Sequence, residues 1–502
     1  MNIKQAKQEI ARTVKAYLLK DEFGNYKISS IRQRPVLLIG PPGIGKTQIM
    51  EQIARECEIG LVAYTITHHT RQSAVGLPFI KEEQFEGQTY SVTEYTMSEI
   101  IASIYRKIKT SGRKEGILFI DEINCVSETL APTMLQFLQC KTFGNQQIPQ
   151  GWIIVAAGNP PEYNRSVREF DMVTLDRVRC MNIEADLDVW REYAREKHLN
   201  GALLSYLELR PKNFYRVEAD VDGLQFVTAR GWEDLSNLMD VYDVLDYPVE
   251  KEVISEFLRH EDVAEDVAAY LDLYKKYQDD YGIADILKGN VKSSVYARIY
   301  EAAFDERLSV VHLLLNGVEN IFLRLQQEKD ITDGWYSFLK NYRKTMKEES
   351  NKKQIFAQLL EQKIKTDEQN EAQNFVTKQE AITEKKLNEK LKETEKLMRQ
   401  NASDAMEEAE LFALAKQPFD EQCDVLQTLE NQGKEALEHA FSFMEEAFLN
   451  GQEMVVFVTE LTITPQIAAF LSEHRIERYE KYKSELLIGT KRAQLLSQIE
   501  RD

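Results

Sequence analysis

The sequence predicts an α/β core with a parallel sheet and helices on both faces. A small helical lid and a mostly α-helical C-terminal region follow it. Three observations carry this. Short apolar runs bounded by Gly/Pro turns alternate with helical patterns through the first half, as βα units do. Ten of the twelve prolines lie at or before Pro248, and proline is costly inside helices, so the second half is free to form long ones. A glycine-rich phosphate-loop pattern also follows the first apolar run directly.

The predicted strands are Val36–Ile39, Leu61–Thr67, Ile117–Ile120 and Ile153–Ala157, with helices between them. These belong to a domain spanning 1–186. A helical lid with acidic helices occupies 187–289. Between 240 and 280 it carries thirteen Asp/Glu against four Lys/Arg. Val241, Val244, Leu245, Val249, Val253, Phe257 and Leu258 recur there at helical spacing, which reads as a solvated acidic helix face. Residues 290–502 form the helical extension, with a long charge-dense arm near 328–403 that holds one glycine, Gly334. Phe375, Ile382, Leu387, Leu391 and Met398 give the arm an amphipathic pattern. Met454–Leu461 reads as a short strand or a buried helical turn, ahead of a helix start at Thr464-Pro465.

The 502 residues hold 63 Lys+Arg and 82 Asp+Glu, a net charge of −19. That balance argues against sequence-blind nucleic-acid binding and against anionic membranes, since both need surplus positive charge. The apolar runs are too short to cross a bilayer, and the N-terminus lacks an apolar signal core. Cys57, Cys125, Cys140, Cys180 and Cys423 form no Cys-x-x-Cys pair, which suits inert thiols in a reducing compartment. The expected location is cytoplasmic.

Gly40-Pro41-Pro42-Gly43-Ile44-Gly45-Lys46-Thr47 matches G-x-x-x-x-G-K-[ST] between a buried strand and a helical segment opening at Gln48. The glycines let backbone N–H groups curl toward phosphates at a helix N-terminus. Lys46 is expected to reach the β- and γ-phosphates, and the Thr47 hydroxyl to bind Mg²⁺. This makes the core one of P-loop NTPase type and the ligand ATP with Mg²⁺. No Asn-Lys-x-Asp element for reading guanine is found. About 75 residues after Lys46, the run Ile117-Leu-Phe-Ile ends in Asp121 and Glu122, at a sheet's carboxyl edge. Asp121 is expected to hold Mg²⁺ through its water shell, and Glu122 to orient and deprotonate the attacking water. Asn159 follows the next strand, where its amide could hold that water or the γ-phosphate. Arg177, Arg179 and Arg230 are candidates to offset transition-state charge, and the residues leave the choice between Arg177 and Arg179 open.

This order of motifs resembles the AAA+ ATPases over residues 10–250, and within them the MoxR branch of the helix-2-insert group. Gly40–Thr47, Ile117–Glu122 with Asp-Glu-Ile-Asn, Gly158-Asn159-Pro160, Leu175-Asp-Arg177 and Thr228-Ala-Arg230 carry the resemblance. It implies Arg177 as a finger acting across a subunit boundary and Arg230 as a sensor within its own subunit. It also implies a ring, usually a hexamer, and a chaperone-like role on a protein client. Members of this branch commonly pair with a partner bearing a von Willebrand factor A domain, which would here be a separate protein. Residues 77–96 are expected to form a hairpin above the ring pore, and 141–151 a second hairpin. Phe79, Phe85, Tyr90 and Phe143 are candidates to grip the client, or else plain hairpin packing.

The leading expectation is therefore an ATPase that remodels or matures a protein partner. The alternatives are a DNA-remodelling or restriction-type motor, and a nucleotide-gated scaffold with little turnover.

Overall fold

A computed structural model of the chain describes residues 1–68, 70–143, 146–163, 167, 170–220, 223–348, 352–401, 406–449 and 451–486. The chain forms two compact units. One comprises Met1–Tyr193, Pro211–Pro248 and Glu252–Ala264; the other comprises Ala194–Arg210, Val249–Lys251 and Glu265–Asp502.

The first unit opens with α1 (Ile3–Leu18), then β1 (Val36–Ile39), α2 (Lys46–Glu56) and β2 (Gly60–Thr65). Next come α3 (Arg71–Val75) and a hairpin of β3 (Pro78–Phe85) with β4 (Gln88–Tyr95). Then follow α4 (Glu99–Ser111), β5 (Gly116–Asp121), α5 (Ala131–Cys140) and the short pair β6 (Thr142–Phe143) and β7 (Gln146–Gln147). The sheet is completed by β8 (Trp152–Gly158) and, after α6 (Met172–Leu175), by β9 (Arg179–Asn182).

The five core strands are ordered β2-β5-β8-β1-β9 and all pair in parallel. Side chains alternate faces along a strand, and this sheet uses both faces. Ile117 and Phe119 of β5, and Ile153 and Val155 of β8, pack with α1 and α2 through Ile10, Val14, Met50 and Ile53. Leu118, Ile120, Ile154 and Ala156 point the other way, into Ile100 and Ile104 of α4 and Phe137 of α5. Near-continuous apolar runs result because no face meets water. Gly116 is demanded by close approach: a Cβ there would sit 2.7 Å from both the Gly60 carbonyl oxygen and the Trp152 ring. The chain leaves β1 toward β2 at one edge and leaves β8 for β9 on the far side of β1. This switch point opens a crevice at the carboxyl ends of the strands.

Beyond α7 (Leu187–Glu196) and α8 (Gly201–Leu209), the expected helical lid contains an antiparallel hairpin, β10 (Arg216–Asp220) with β11 (Gly223–Val227). The predicted helical lid did not include this hairpin: its strands are too short for period-two alternation to stand out, and tertiary contacts hold them. The Phe226 N–H donates to the Arg259 carbonyl at 2.8 Å, and Val227 is buried. Helices α9 (Ala229–Leu245) and α10 (Lys251–Phe257) follow. The buried face of α9 is Trp232, Leu235 and Met239, and the Trp232 indole donates to the Phe214 carbonyl at 2.9 Å. The positions singled out by spacing, Val241, Val244 and Leu245, are instead exposed where α9 runs out into solvent.

The second unit contains α11 (Glu261–Tyr281) beyond Ala264, then α12 (Ile283–Leu287), α13 (Ser293–Glu301), α14 (Phe304–Glu348) and α15 (Lys352–Ala372). It continues with α16 (Lys378–Asn401), α17 (Glu408–Phe448), α18 (Gln452–Ile463) and α19 (Pro465–Glu473). The predicted arm near 328–403 takes in the second half of α14, α15 and α16, with 349–351 and 402–403 outside the described residues. Its core uses Leu387, Leu391 and Met398, as the pattern predicts, while Ile382 is exposed. Met454–Leu461 is helical: Met454, Phe457, Val458 and Leu461 are buried at i, i+3, i+4 and i+7 spacing. One 18-residue window of α14 is apolar enough to cross a bilayer, but 61% of it is buried in the protein, as in a core helix.

The 77–96 hairpin is present, with Phe79, Phe85 and Tyr90 exposed along it. Phe143 is corrected as a gripping candidate. It is buried and stacked on Phe137 with ring centroids 3.8 Å apart. Gly144 and Asn145, of the predicted second hairpin, lie outside the described residues.

Candidate nucleotide site

The carboxyl end of β1 leads into a loop that only glycine can shape. Gly43 (φ +72°) and Gly45 (φ +91°) sit in the left-handed region, which costs other residues about 1–2 kcal/mol. Gly45 is the N-cap of α2 and no side chain caps the helix, so the first-turn N–H groups point into the crevice without a side-chain acceptor. Ile44 is buried in the core beneath the loop.

Lys46, the first residue of α2, is buried, and all three of its N–H donors are used. Nζ donates to the Gly40 carbonyl at 2.7 Å, the Pro41 carbonyl at 2.8 Å and Asn159 Oδ1 at 2.8 Å. Burial lowers its pKa to about 8; the Asp121 charge opposes that shift and the Arg230 charge adds to it. Thr47 Oγ1 donates to Asp121 Oδ2 at 2.9 Å, which joins the phosphate loop to the end of β5.

Glu122 turns the chain off β5 in a left-handed conformation (φ +56°), the kind of local strain that clusters at working sites. Its N–H donates to Asp121 Oδ1 at 2.9 Å, and its carboxylate accepts a 2.9 Å bond from Thr67 Oγ1, just past β2. Asn124 Nδ2 donates to the Asn159 carbonyl at 2.8 Å. A Cβ on Gly158 would meet Asn124 Oδ1 at 2.4 Å, so this glycine gives the amide room. Thr67 and Asn124 are contributors that sequence reasoning missed. A hydroxyl following an apolar strand, and the last residue of Asp-Glu-Ile-Asn, were the available signals.

Residues 36–174 match the family model for AAA, the ATPase family associated with various cellular activities. The match supports an AAA+ ATPase. It spans β1 to α6 and so takes in the phosphate loop, Asp121, Glu122 and Asn159. No curated protein matches the chain.

The matched region is met by residues of the following segment. Thr228 caps α9, accepting from the Gly231 N–H at 3.3 Å, and the Arg230 N–H donates to the Gly43 carbonyl at 3.1 Å. The Arg230 side chain is exposed, close enough to Lys46 to depress its pKa. Gln48, in the first turn of α2, donates to Glu233 of α9 at 3.2 Å. Tyr215 donates to the Pro42 carbonyl at 3.0 Å.

The two arginines left open by the sequence differ sharply. Arg179 is tied to α1, donating to Glu9 Oε1 at 2.7 Å and Thr13 Oγ1 at 2.6 Å. Arg177 is exposed and hydrogen-bonds Gln139, outside the Lys46 cluster.

The donor set fits a magnesium nucleotide. Two left-handed glycines, an uncapped helix start and a buried ammonium suit phosphates, while a hydroxyl bonded to a carboxylate suits a hard cation. Among the described residues no cluster of three or more His, Cys, Asp or Glu could hold a metal by itself. The cation would thus sit between Thr47, Asp121 and the phosphates it arrives with.

Proposed function

We propose that the chain binds ATP with Mg²⁺ at this crevice and hydrolyses it to drive the remodelling or maturation of a protein partner. The observation that carries the reading is the convergence of five side chains from three elements on one sheet edge. Lys46 and Thr47 come from α2, Asp121 and Glu122 from β5 and its turn, and Asn159 from the end of β8.

Lys46 and the loop N–H groups hold the phosphates. Thr47 and Asp121 would hold Mg²⁺, which when bound offsets phosphate charge. Glu122 takes the proton of the attacking water, and Asn159 orients that water. Arg230 reads the γ-phosphate from the same chain. Arg177 is exposed, away from its own site, which suits supply to the site of a neighbouring copy in a ring, six subunits by the resemblance. The net charge of −19 favours a protein partner over nucleic acid, and a von Willebrand factor A domain protein is the partner the resemblance suggests.

The test is phosphate release from ATP with and without Mg²⁺, alongside Glu122→Gln. The expected result is Mg²⁺-dependent turnover that falls on the order of 100-fold or more in the variant while nucleotide still binds. Turnover unaffected by Glu122→Gln would remove Glu122 from the chemistry. Remodelling is tested by ATP-dependent retention of a partner on that variant, and loses its support if none is retained.

A further inference from the structure

Glu233 is a carboxylate that the proposed chemistry does not use, yet it lies beside a site built to collect negative charge. It stands on α9, one turn into the helix whose start hydrogen-bonds the phosphate loop through the Arg230 N–H and Gly43. Such a charge weakens anion binding by repulsion unless it serves another purpose. Its partners indicate one. Glu233 accepts a 3.2 Å bond from Gln48 Nε2, and Gln48 Oε1 lies 3.4 Å from where a Cβ on Gly45 would be. The same carboxylate accepts a 2.7 Å bond from the Tyr193 hydroxyl on α7. Burial first, and then the Glu233 carboxylate, push the Tyr193 phenol well above its usual pKa, so it remains a donor.

We propose that Glu233, oriented by Tyr193, fastens α9 through Gln48 to the first turn of α2, which leads directly out of the phosphate loop, and thereby sets how fast a bound nucleotide leaves. This rests on the nucleotide reading given above. Glu233 is a positioning residue: it touches Gln48, not the reacting atoms. The side-chain oxygens of Glu233 accept from Tyr193 and Gln48 at once, so one residue joins α7, α9 and α2. A polar link from α9 to the loop itself, from the Arg230 N–H to the Gly43 carbonyl, is backbone to backbone and survives side-chain substitution.

The test is stopped-flow dissociation of a fluorescent ADP analogue with Mg²⁺ from the full chain. Glu233→Ala is expected to release it roughly five- to tenfold faster, with the association rate within about twofold. Glu233→Gln keeps an oxygen that can accept from Tyr193 and Gln48, and should stay within about twofold of wild type. Both substitutions remove the charge, so their difference isolates the hydrogen-bonded link, which a general loss of stability would not split. Tyr193→Phe should fall between them. Release from Glu233→Ala at the wild-type rate, or from Glu233→Gln as fast as from Glu233→Ala, overturns the proposal. Wild type that binds no nucleotide overturns the reading on which it rests.

Discussion

The Thr67 hydroxyl donates a 2.9 Å hydrogen bond to Glu122 Oε2, tying the carboxylate at the end of β5 to the segment that leaves β2. The bond restricts the rotation of a side chain whose backbone already sits at φ +56°. A general base works only within hydrogen-bond reach of its proton, so orientation is worth rate.

Thr67→Val keeps the shape and removes the donor. Steady-state kinetics should show kcat down about three- to tenfold with KM nearly unchanged, since nucleotide contacts are untouched. Thr67→Ser should restore most of the loss. A Val variant with wild-type kcat would leave the bond without a catalytic role.

Lys46 should make nucleotide binding pH-dependent. Its folded pKa is lowered to about 8 by burial, and phosphates favour the charged form. Affinity should therefore be greatest below pH 8 and weaken as pH rises through it, with proton uptake on binding above pH 8. Calorimetry in buffers of different ionisation enthalpy measures that uptake. The sign for the fold alone is opposite: between pH 8 and the unfolded value the unfolded chain holds more protons, so this group's burial penalty is relieved as pH rises.

Arg177 and Arg179 separate by assay. Arg177→Ala should lower turnover on the order of 10³-fold, and mixing it with Lys46→Ala should restore part of it if the arginine serves a neighbouring copy. Arg179→Ala breaks the contacts to Glu9 and Thr13 instead. It should cost about 1 kcal/mol of stability in denaturant titration and leave kcat in place.

Arg195 and Glu460 form a buried ion pair in the second unit, with side chains only 8% and 11% exposed. Removing one partner strands a charge, so Glu460→Ala should destabilise that unit by about 3–5 kcal/mol in chemical denaturation. Replacing both, as Arg195→Met with Glu460→Leu, should recover most of the loss. A double variant no better than the single one would show that packing, not charge, was lost.

Legibility followed sequence distance. The phosphate loop is a local backbone geometry, so its glycines and Lys46 announce themselves within eight residues. Asp121 and Glu122 show as an apolar strand that ends in acid. Thr67 meets Glu122 across 55 positions and Gln48 meets Glu233 across 185, and no local pattern encodes either pairing. The apolar run at Met454 was ambiguous for a related reason: its β-branched residues suit a strand, and only the cluster that buries Met454, Phe457, Val458 and Leu461 selects the helix.

By itself, then, the sequence determined a parallel α/β core, a phosphate-binding loop, its acidic strand end and a helical second half. Glycine conformation, strand-length apolar runs and scarce proline are properties of neighbouring residues. The tertiary structure alone decided that Arg179 is bound to α1 and Arg177 is exposed, that a β-hairpin stands within the lid, and that Thr67, Asn124 and Glu233 join the site. The Thr67, Asn124 and Glu233 contacts depend on which distant segments meet near the sheet's carboxyl edge, and the Arg179 contact depends on α1 lying beside β9.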